Sequence, residues 1–264
     1  TLVHIPGGTS DLAVRSLVWV GRDGSEEPID TPHQYYQNLK ISPDGTRVAL
    51  TVFESDIPDI RILDLDRKTW VKIADSAMYP LWTSDSKNIV FYMFSVDNGG
   101  IFKKTANNTG KAELLYPSPN VLLRPSSWYR DEKDLLLTSG RENIFDIGML
   151  SMDGEPRYEL LLNEEKMTEE PKISLSGNWM AYMSGESGHA NIFVRPFPDV
   201  DKDKHPVSIN GGAYPIWSPD DSELYYRKDD QVIAVTVKTE PKLSLGHPEL
   251  LSKDTSLSST GSKN

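Results

Sequence analysis

Cysteine is absent from this chain, and its absence excludes several kinds of chemistry. Without cysteine there is no thiolate nucleophile, no cysteine-based zinc site and no disulfide bridge. Long hydrophobic runs are missing too, since every apolar stretch falls well short of the roughly 20 residues that a membrane-spanning helix needs. With 264 residues, however, the chain can bury a large core, so folding requires neither a disulfide nor a metal.

Positive charge is scarce as well. The chain has 28 Lys and Arg against 39 Asp and Glu, for a net charge of -11, and no more than two basic residues stand together. Because an acidic surface repels phosphate backbones, we predict no nucleic-acid partner. The chain begins at Thr1 and its first methionine is Met78, which favours a processed or excised part of a longer protein.

A fivefold repeat is the main positive feature of the sequence. When the apolar residue just before each turn is taken as an anchor, successive copies are 41, 46, 45 and 44 residues apart. Asp recurs three places after the anchor in four copies, and Pro occurs two places before it in three. The anchors are Ile41, Trp82, Trp128, Ile173 and Trp217.

Each copy predicts four short strands. The first ends at the anchor, a tight turn with Asp follows, and three further runs rich in Val, Ile, Tyr and Phe come after it. Four strands in about 40–45 residues are typical of a β-propeller blade. A lone sheet of this kind leaves an apolar face open, and a neighbouring blade covers it. The sequence therefore predicts an all-β protein, with a single propeller domain over residues 1–264.

Residues 1–40 predict a sixth blade. "LVHI", "SLVWV" and "EEPID" read as its second, third and fourth strands. Its first strand is missing at the N-terminus, and the tail at residues 254–261 stands where that strand is due. We expect six four-stranded antiparallel blades, with the N- and C-terminal strands closing the ring, because an open ring leaves exposed sheet edges.

The repeats resemble the TolB-like, WD-repeat-like propeller family. "ISPDGTRVAL" (Ile41–Leu50) matches its turn and second strand, and "WSPDDSELYY" (Trp217–Tyr226) is nearly as close. "LVWVGRDGSEEPI" and "SGESGHANIFVRPFPD" look like propeller segments that follow the kinase domain in bacterial eukaryotic-type serine/threonine kinases. The resemblance covers essentially the whole chain. It implies the fold, a protein partner at the mouth of the central channel, and a periplasmic or extracytoplasmic setting, although lack of cysteine also suits the cytoplasm.

Four features of the sequence could indicate catalysis or metal binding. "GESGH" (Gly185–His189) lacks the spacing of a serine nucleophile elbow, so we interpret it as a polar loop. "DVDKDKH" has Lys204 and Asn210 where a calcium loop needs Gly and Glu, which favours a solvated loop. The turn aspartates are explained by their turns. The five histidines form no closely spaced pair, so the sequence predicts no metal site and no cofactor. They are His4, His33, His189, His205 and His247.

The loops that enter the first strands offer a candidate binding surface. In a propeller these loops share one rim, and here they carry several Tyr and one Arg, which are favoured anchors in protein recognition. The alternative is that the tyrosines pack against neighbouring blades. The predicted mouth consists of His33, Tyr35, Tyr36, Asn38, Tyr79, Arg124, Glu170 and Tyr214.

Two functions remain open. The first is a non-catalytic binding or scaffold module that presents its rim to a protein or peptide, as the sensor or interaction part of a larger bacterial protein. The second is a metal-dependent hydrolase or lyase that uses the central channel. No catalytic motif favours the second function, and the sequence does not indicate an oligomeric state.

Overall fold

The computed structural model describes residues 2–4, 15–21, 25–54, 56–95, 98–141, 144–164, 166–239 and 242–253. Over these residues the chain forms 23 β-strands and no helix. It divides into two compact units, one built on Thr1–Pro125 and the other spanning Ser126–Lys253. The assignment of residues 1–264 to a single domain therefore stays a prediction. Among the described residues no helix is long and apolar enough to cross a membrane.

The first unit contains two sheets, each with its strands in chain order and antiparallel pairing. The first sheet has six strands: β1 (Leu2–His4), β2 (Arg15–Val20), β3 (Glu26–Ile41), β4 (Arg47–Phe53), β5 (Pro58–Asp64) and β6 (Thr69–Asp75). The second sheet has four: β7 (Ala77–Trp82), β8 (Asn88–Met93), β9 (Gly100–Thr105) and β10 (Glu113–Pro117).

Three sheets follow, the first of them beginning just before the boundary between the units. The third sheet is β11 (Leu122–Tyr129), β12 (Asp134–Arg141), β13 (Ile144–Ser151) and β14 (Arg157–Leu162). The fourth is β15 (Thr168–Ile173), β16 (Trp179–Ser184), β17 (Asn191–Pro196) and β18 (His205–Pro206). The fifth is β19 (Ala213–Trp217), β20 (Glu223–Lys228), β21 (Gln231–Lys238), β22 (Ser244–Leu245) and β23 (Glu249–Lys253), the last two both pairing with β21.

The sequence repeat maps onto the sheets as predicted. All five anchors lie at or one residue before the end of a first strand, and the second, third and fourth runs of each copy are strands. Apolar residues of neighbouring sheets meet within each unit. Ile60 and Ile62 of the first sheet cluster with Ile89 and Phe91 of the second, so each sheet covers its neighbour's apolar face.

The prediction of six blades is wrong for the sheets that the described residues form, which number five. The three expected N-terminal strands are present, but the third is not separate. It runs on without a break into the strand that ends at Ile41, as the 16-residue β3. The early part of β3 pairs with β2 (Leu17 opposite Ile29), and the late part pairs with β4 (Tyr35 opposite Phe53). Both groups therefore belong to one hydrogen-bonded sheet. The proposed closing strand at residues 254–261 lies outside the described residues.

The Asp that follows the anchor stabilises its turn in two copies of the repeat, as the sequence predicts. Ser42 Oγ donates to Asp44 Oδ1 at 2.6 Å, and the backbone N–H of Thr46 donates to the same oxygen at 3.0 Å. These hydrogen bonds, that from Ser42 foremost, hold the pKa of Asp44 well below its usual range. The turn at Asp220 repeats the arrangement, with Ser218 Oγ donating at 2.7 Å. Asp44 and Asp220 thus stabilise the turns of their hairpins.

Candidate functional site

One irregularity recurs in the strand that ends at the anchor in four repeat copies (β3, β7, β15 and β19), at the position three residues before the anchor. This strand is called the first strand of its copy, although β3 is the third strand of its sheet. There two residues of the first strand lie opposite a single residue of the second, which is a β-bulge. The register shifts fall between Gln37 and Lys40, Met78 and Leu81, Glu169 and Lys172, and Ala213 and Ile216.

Each bulge begins with a residue in the left-handed region. The φ angles are 51° at Asn38, 60° at Tyr79, 55° at Glu170 and 55° at Tyr214. Asn tolerates this conformation, but for Tyr and Glu it costs about 1–2 kcal/mol relative to glycine. All four residues belong to the mouth predicted from the sequence. The structure thus gives them one shared backbone feature that the sequence argument did not contain.

The remaining copy, the third along the chain with its anchor at Trp128, has Pro125 at the equivalent position. Proline fixes φ near -65°, so the left-handed conformation is closed to it. In three of the other copies proline comes one residue later, as Pro80, Pro171 and Pro215. A bulge leaves one residue outside the hydrogen-bond ladder, and proline has no N–H that needs a partner there.

In the first unit the structure brings Tyr79 and Arg124 together. The guanidinium carbon of Arg124 lies 5.3 Å from the centre of the Tyr79 ring, within the range of a cation–π contact. Asn38 accepts a hydrogen bond from Thr51 Oγ1 through its Oδ1 at 3.1 Å. The side-chain amide of Asn38 is therefore held by Thr51 of the adjacent strand β4, whereas the ring of Tyr79 lies beneath a cation.

Tyr35 and His33 lie on β3 ahead of the bulge. The Tyr35 ring is 4.8 Å from the ring of Phe53, and its hydroxyl accepts a hydrogen bond from Gln37 Nε2 at 2.5 Å. Tyr35 is partly buried and His33 is exposed. Both side chains are thus at least partly accessible to solvent.

Tyr36 is a correction to the predicted mouth. Its side chain is 0% exposed and packs in the core of the first sheet with Leu17 and Leu50. The ring stacks on Trp70 at 6.1 Å, and the hydroxyl donates to the carbonyl of Pro32 at 2.6 Å. Burial raises the pKa of this hydroxyl. Because β3 alternates faces, Tyr36 points into the core between the more exposed Tyr35 and Gln37, and the packing alternative is correct for it.

In the second unit Glu170 and Tyr214 occupy the equivalent positions. Glu170 accepts a hydrogen bond from Lys172 Nζ at 3.2 Å, and its backbone N–H donates to Thr138 Oγ1 of the preceding sheet at 3.2 Å. Tyr214 is 59% exposed, and Ile216 on the same strand is 44% exposed. The second unit therefore presents a paired carboxylate and a large, accessible aromatic ring.

The second unit also contains a charged cluster that the sequence argument missed. Glu164 accepts hydrogen bonds from Arg195 Nη2 at 2.8 Å and from Lys204 Nζ at 3.1 Å, and Lys204 also pairs with Glu186. Burial alone would raise the pKa of Glu164, but the two cations outweigh it and the net shift is downward. Arg195 Nε further donates to the hydroxyl of buried Tyr182 at 2.8 Å. These residues are scattered along the sequence, and no local motif indicates the cluster.

The remaining sequence candidates behave as loops. Ser187 Oγ donates to the carbonyl of His189, whereas the His189 ring contacts the carbonyl of Ile209 at 3.2 Å, so the two do not form a nucleophile–base pair. Asp199 is exposed and pairs with Lys202 at 2.6 Å. Among the described residues, no group of three or more His, Asp or Glu side chains is placed to hold a metal ion.

Comparison with known proteins identifies solved structures of similar fold. No protein-family model matches the sequence, and no curated protein sequence matches it. Among solved structures, the chain is similar to TolB from Acinetobacter baumannii, with a TM-score of 0.70 at 16% identity, covering 95% of this chain and 66% of that one.

The fold is an all-β propeller of antiparallel blades. Two further structures agree. A TolB-like structure from Agrobacterium tumefaciens gives a TM-score of 0.69 at 17% identity, covering 89% of this chain and 86% of that one. A chain of a nidogen/laminin complex gives 0.65 at 14%, covering 95% and 97%. At these identities the likeness shows the fold alone. The chain spans just under two thirds of the length of the Acinetobacter protein.

Proposed function

We propose that this propeller is a non-catalytic binding module that holds a protein or peptide partner. The observation that carries the proposal is the repeated left-handed bulge, which places a polar or aromatic side chain three residues before the anchor in four repeat copies. Strained backbone that persists at a defined position is a feature of ligand-binding sites. A propeller of similar fold in a nidogen/laminin complex supports a role in protein recognition.

The proposed contact set keeps seven of the eight residues expected from the sequence. Tyr36 is removed from the set because it is buried. The remaining residues combine aromatic surface with polar tips, as in known recognition hot spots. They are His33, Tyr35, Asn38, Tyr79, Arg124, Glu170 and Tyr214. The first five belong to the first unit, and Glu170 and Tyr214 belong to the second.

The cellular setting belongs to the same proposal. The stretches Leu17–Ile29 and Ser184–Asp199 resemble propeller segments that follow the kinase domain in bacterial eukaryotic-type serine/threonine kinases, which supports a sensor or interaction part of a larger protein. The likeness to TolB structures supports a periplasmic or extracytoplasmic location. The alternative of a metal-dependent hydrolase or lyase has no supporting observation among the described residues.

A selection experiment tests the binding function. The purified chain is used as bait for a phage-displayed library of random linear peptides, and enriched peptides are synthesised with a fluorescent label. We expect dissociation constants in the micromolar range or tighter by fluorescence anisotropy. If no enriched peptide binds the folded chain in solution, the proposed function is contradicted.

A further inference from the structure

The last strand of a sheet has a neighbour on one side only, and in four sheets this strand contains a β-bulge. In β6, β10, β14 and β23 one extra residue interrupts the pairing with the neighbouring strand. The extra residues are Ile73, Leu115, Leu161 and Leu251. A bulge breaks the regular edge to which another strand can be added. Only the regular stretch beside each bulge therefore remains open to a further strand.

β14 has a long regular stretch of this kind. Ahead of its bulge lie Arg157–Leu160, and among the described residues β14 pairs only with β13. In β10 and β23 the bulge follows just two paired residues. β6 has a stretch as long as that of β14, but it includes Lys72, which already pairs with Asp59 and Asp75. The edge of β14 is therefore the best suited of the four to accept another strand.

Opposite charges stand two residues apart on this edge. Arg157 and Glu159 lie on the same face of β14, on either side of Tyr158, and both are exposed. Within the described part of the chain, neither forms an ion pair or a side-chain hydrogen bond. Leu160, on the opposite face, is 43% exposed. The edge thus offers a cation, an anion and an apolar side chain close together.

This order of charges is complementary to itself. When two copies of β14 run antiparallel about a twofold axis through Tyr158, Arg157 of each copy lies directly opposite Glu159 of the other. The Cβ atoms of such opposite residues are about 4.5–5.5 Å apart, which allows two ion pairs across the axis. A twofold contact uses the same patch on both copies and closes the assembly at two.

We infer that two copies of this chain associate edge to edge through β14, so that one sheet continues from the first copy into the second. The contact is weak, because the strand is short and a net charge of -11 on each copy opposes association. The inference does not depend on the proposed binding function, since it uses no residue of that contact set.

Sedimentation velocity of the 264-residue chain at increasing concentration gives the first test. We expect a monomer at low concentration and a dimer with a dissociation constant of about 10–100 μM. A chain that is still monomeric at about 1 mM overturns the inference. Species that grow beyond the dimer also overturn it, because a twofold contact through one edge cannot extend further.

Charge reversals show whether β14 forms the contact. Arg157→Glu and Glu159→Arg each place like charges opposite one another twice, and each should weaken the dimer about tenfold. A mixture of these two variants restores both complementary pairs, so it should form a heterodimer as tight as the original dimer. The double variant, which keeps the net charge of the chain, should dimerise like the original chain. Single reversals without an effect, or without rescue in the mixture, overturn the inference.

The matched control is Lys111→Glu, which lies just before β10 and changes the net charge by the same amount as Arg157→Glu. This variant should dimerise about as well as the original chain. Equal weakening by Lys111→Glu and Arg157→Glu would assign the effect to general repulsion and overturn the inference. Thermal melts followed by circular dichroism check that each variant is folded.

Discussion

The indole Nε1 of Trp82 donates a hydrogen bond to the backbone carbonyl of Lys40 at 2.9 Å, and so links the first strands of two neighbouring sheets. Trp217 makes the same bond to the carbonyl of Lys172 at 3.0 Å in the second unit. In both cases the acceptor directly precedes the anchor of the preceding sheet. The anchor tryptophan thus joins one repeat to the next, in addition to filling the space between the sheets.

Replacing this indole tests the link between sheets. Trp82→Phe keeps an aromatic ring but leaves the Lys40 carbonyl without this donor, and it weakens the contact of the ring with Arg47, now at 4.8 Å. We expect the free energy of unfolding to fall by about 1–3 kcal/mol, since a partly buried hydrogen bond between strands and part of the buried ring are lost. Urea unfolding followed by far-UV circular dichroism measures the change. Trp217→Phe should behave alike, and midpoints equal to that of the original chain contradict the link.

At the left-handed bulge positions, a glycine variant should be more stable than an alanine variant, which reverses the usual order in a strand. In an ordinary strand glycine is less stable than alanine by roughly 0.5–1 kcal/mol. At Tyr214 the order should reverse, with Tyr214→Gly more stable than Tyr214→Ala by about 1 kcal/mol, because alanine retains the left-handed strain.

Ile216 provides the control for that comparison. It lies two residues further along the same strand and has no positive φ. Ile216→Gly should therefore be less stable than Ile216→Ala. If both positions show the ordinary order in thermal melts, the left-handed assignment at Tyr214 is wrong.

The turn aspartates predict a loss of stability in acid. Hydrogen bonds from Ser218 Oγ and then from Ser222 lower the pKa of Asp220 to about 2. Its pKa in the unfolded chain is about 3.9. Because the folded value is the lower one, the stabilisation is present above about pH 4 and disappears as the pH falls towards about 2.

The Asp220→Asn variant removes this titration. It should be less stable than the original chain at neutral pH, and the difference should shrink between about pH 4 and pH 2. Unfolding curves at several pH values measure the effect. A stability difference that does not depend on pH would show that the carboxylate charge has no part in the turn.

The charged cluster around Glu164 should contribute more to the free energy of unfolding than an exposed ion pair does. Glu164→Gln leaves the partly buried cations Arg195 and Lys204 with reduced compensation, and we expect a loss of about 1–3 kcal/mol in urea unfolding. The exposed pair of Lys202 and Asp199 is the control, and Lys202→Met should cost less than about 1 kcal/mol. Similar losses in the two variants contradict a stabilising role specific to the cluster.

The sequence predicted the strands and turns because each depends on local pattern. Alternating apolar residues and the Ser-Pro-Asp turn recur at fixed spacing, and the anchors Ile41, Trp82 and Trp217 end their strands as expected. The join within β3 was missed because residues 31–38, "TPHQYYQN", were interpreted as the loop between two separate strands. In the structure the strand continues through them while its pairing passes from β2 to β4.

The bulges were not predicted, although one signal was available. Proline inside a strand is confined to edges, strand starts and bulges, so Pro80, Pro171 and Pro215 at the same repeat position indicated an interruption of the ladder. The burial of Tyr36 and the cluster at Glu164 depend on which face of a strand turns inward and on contacts distant in sequence. Neither follows from local pattern.

The central claim is that left-handed residues of the first strands receive the partner. A crystal structure of the chain with its tightest selected peptide tests this most directly. We expect side chains of the peptide in contact with the Tyr79 or Tyr214 ring, with heavy atoms within about 4.5 Å. A peptide bound along an outer strand such as β10 or β14, with no contact to these rings, would contradict the account.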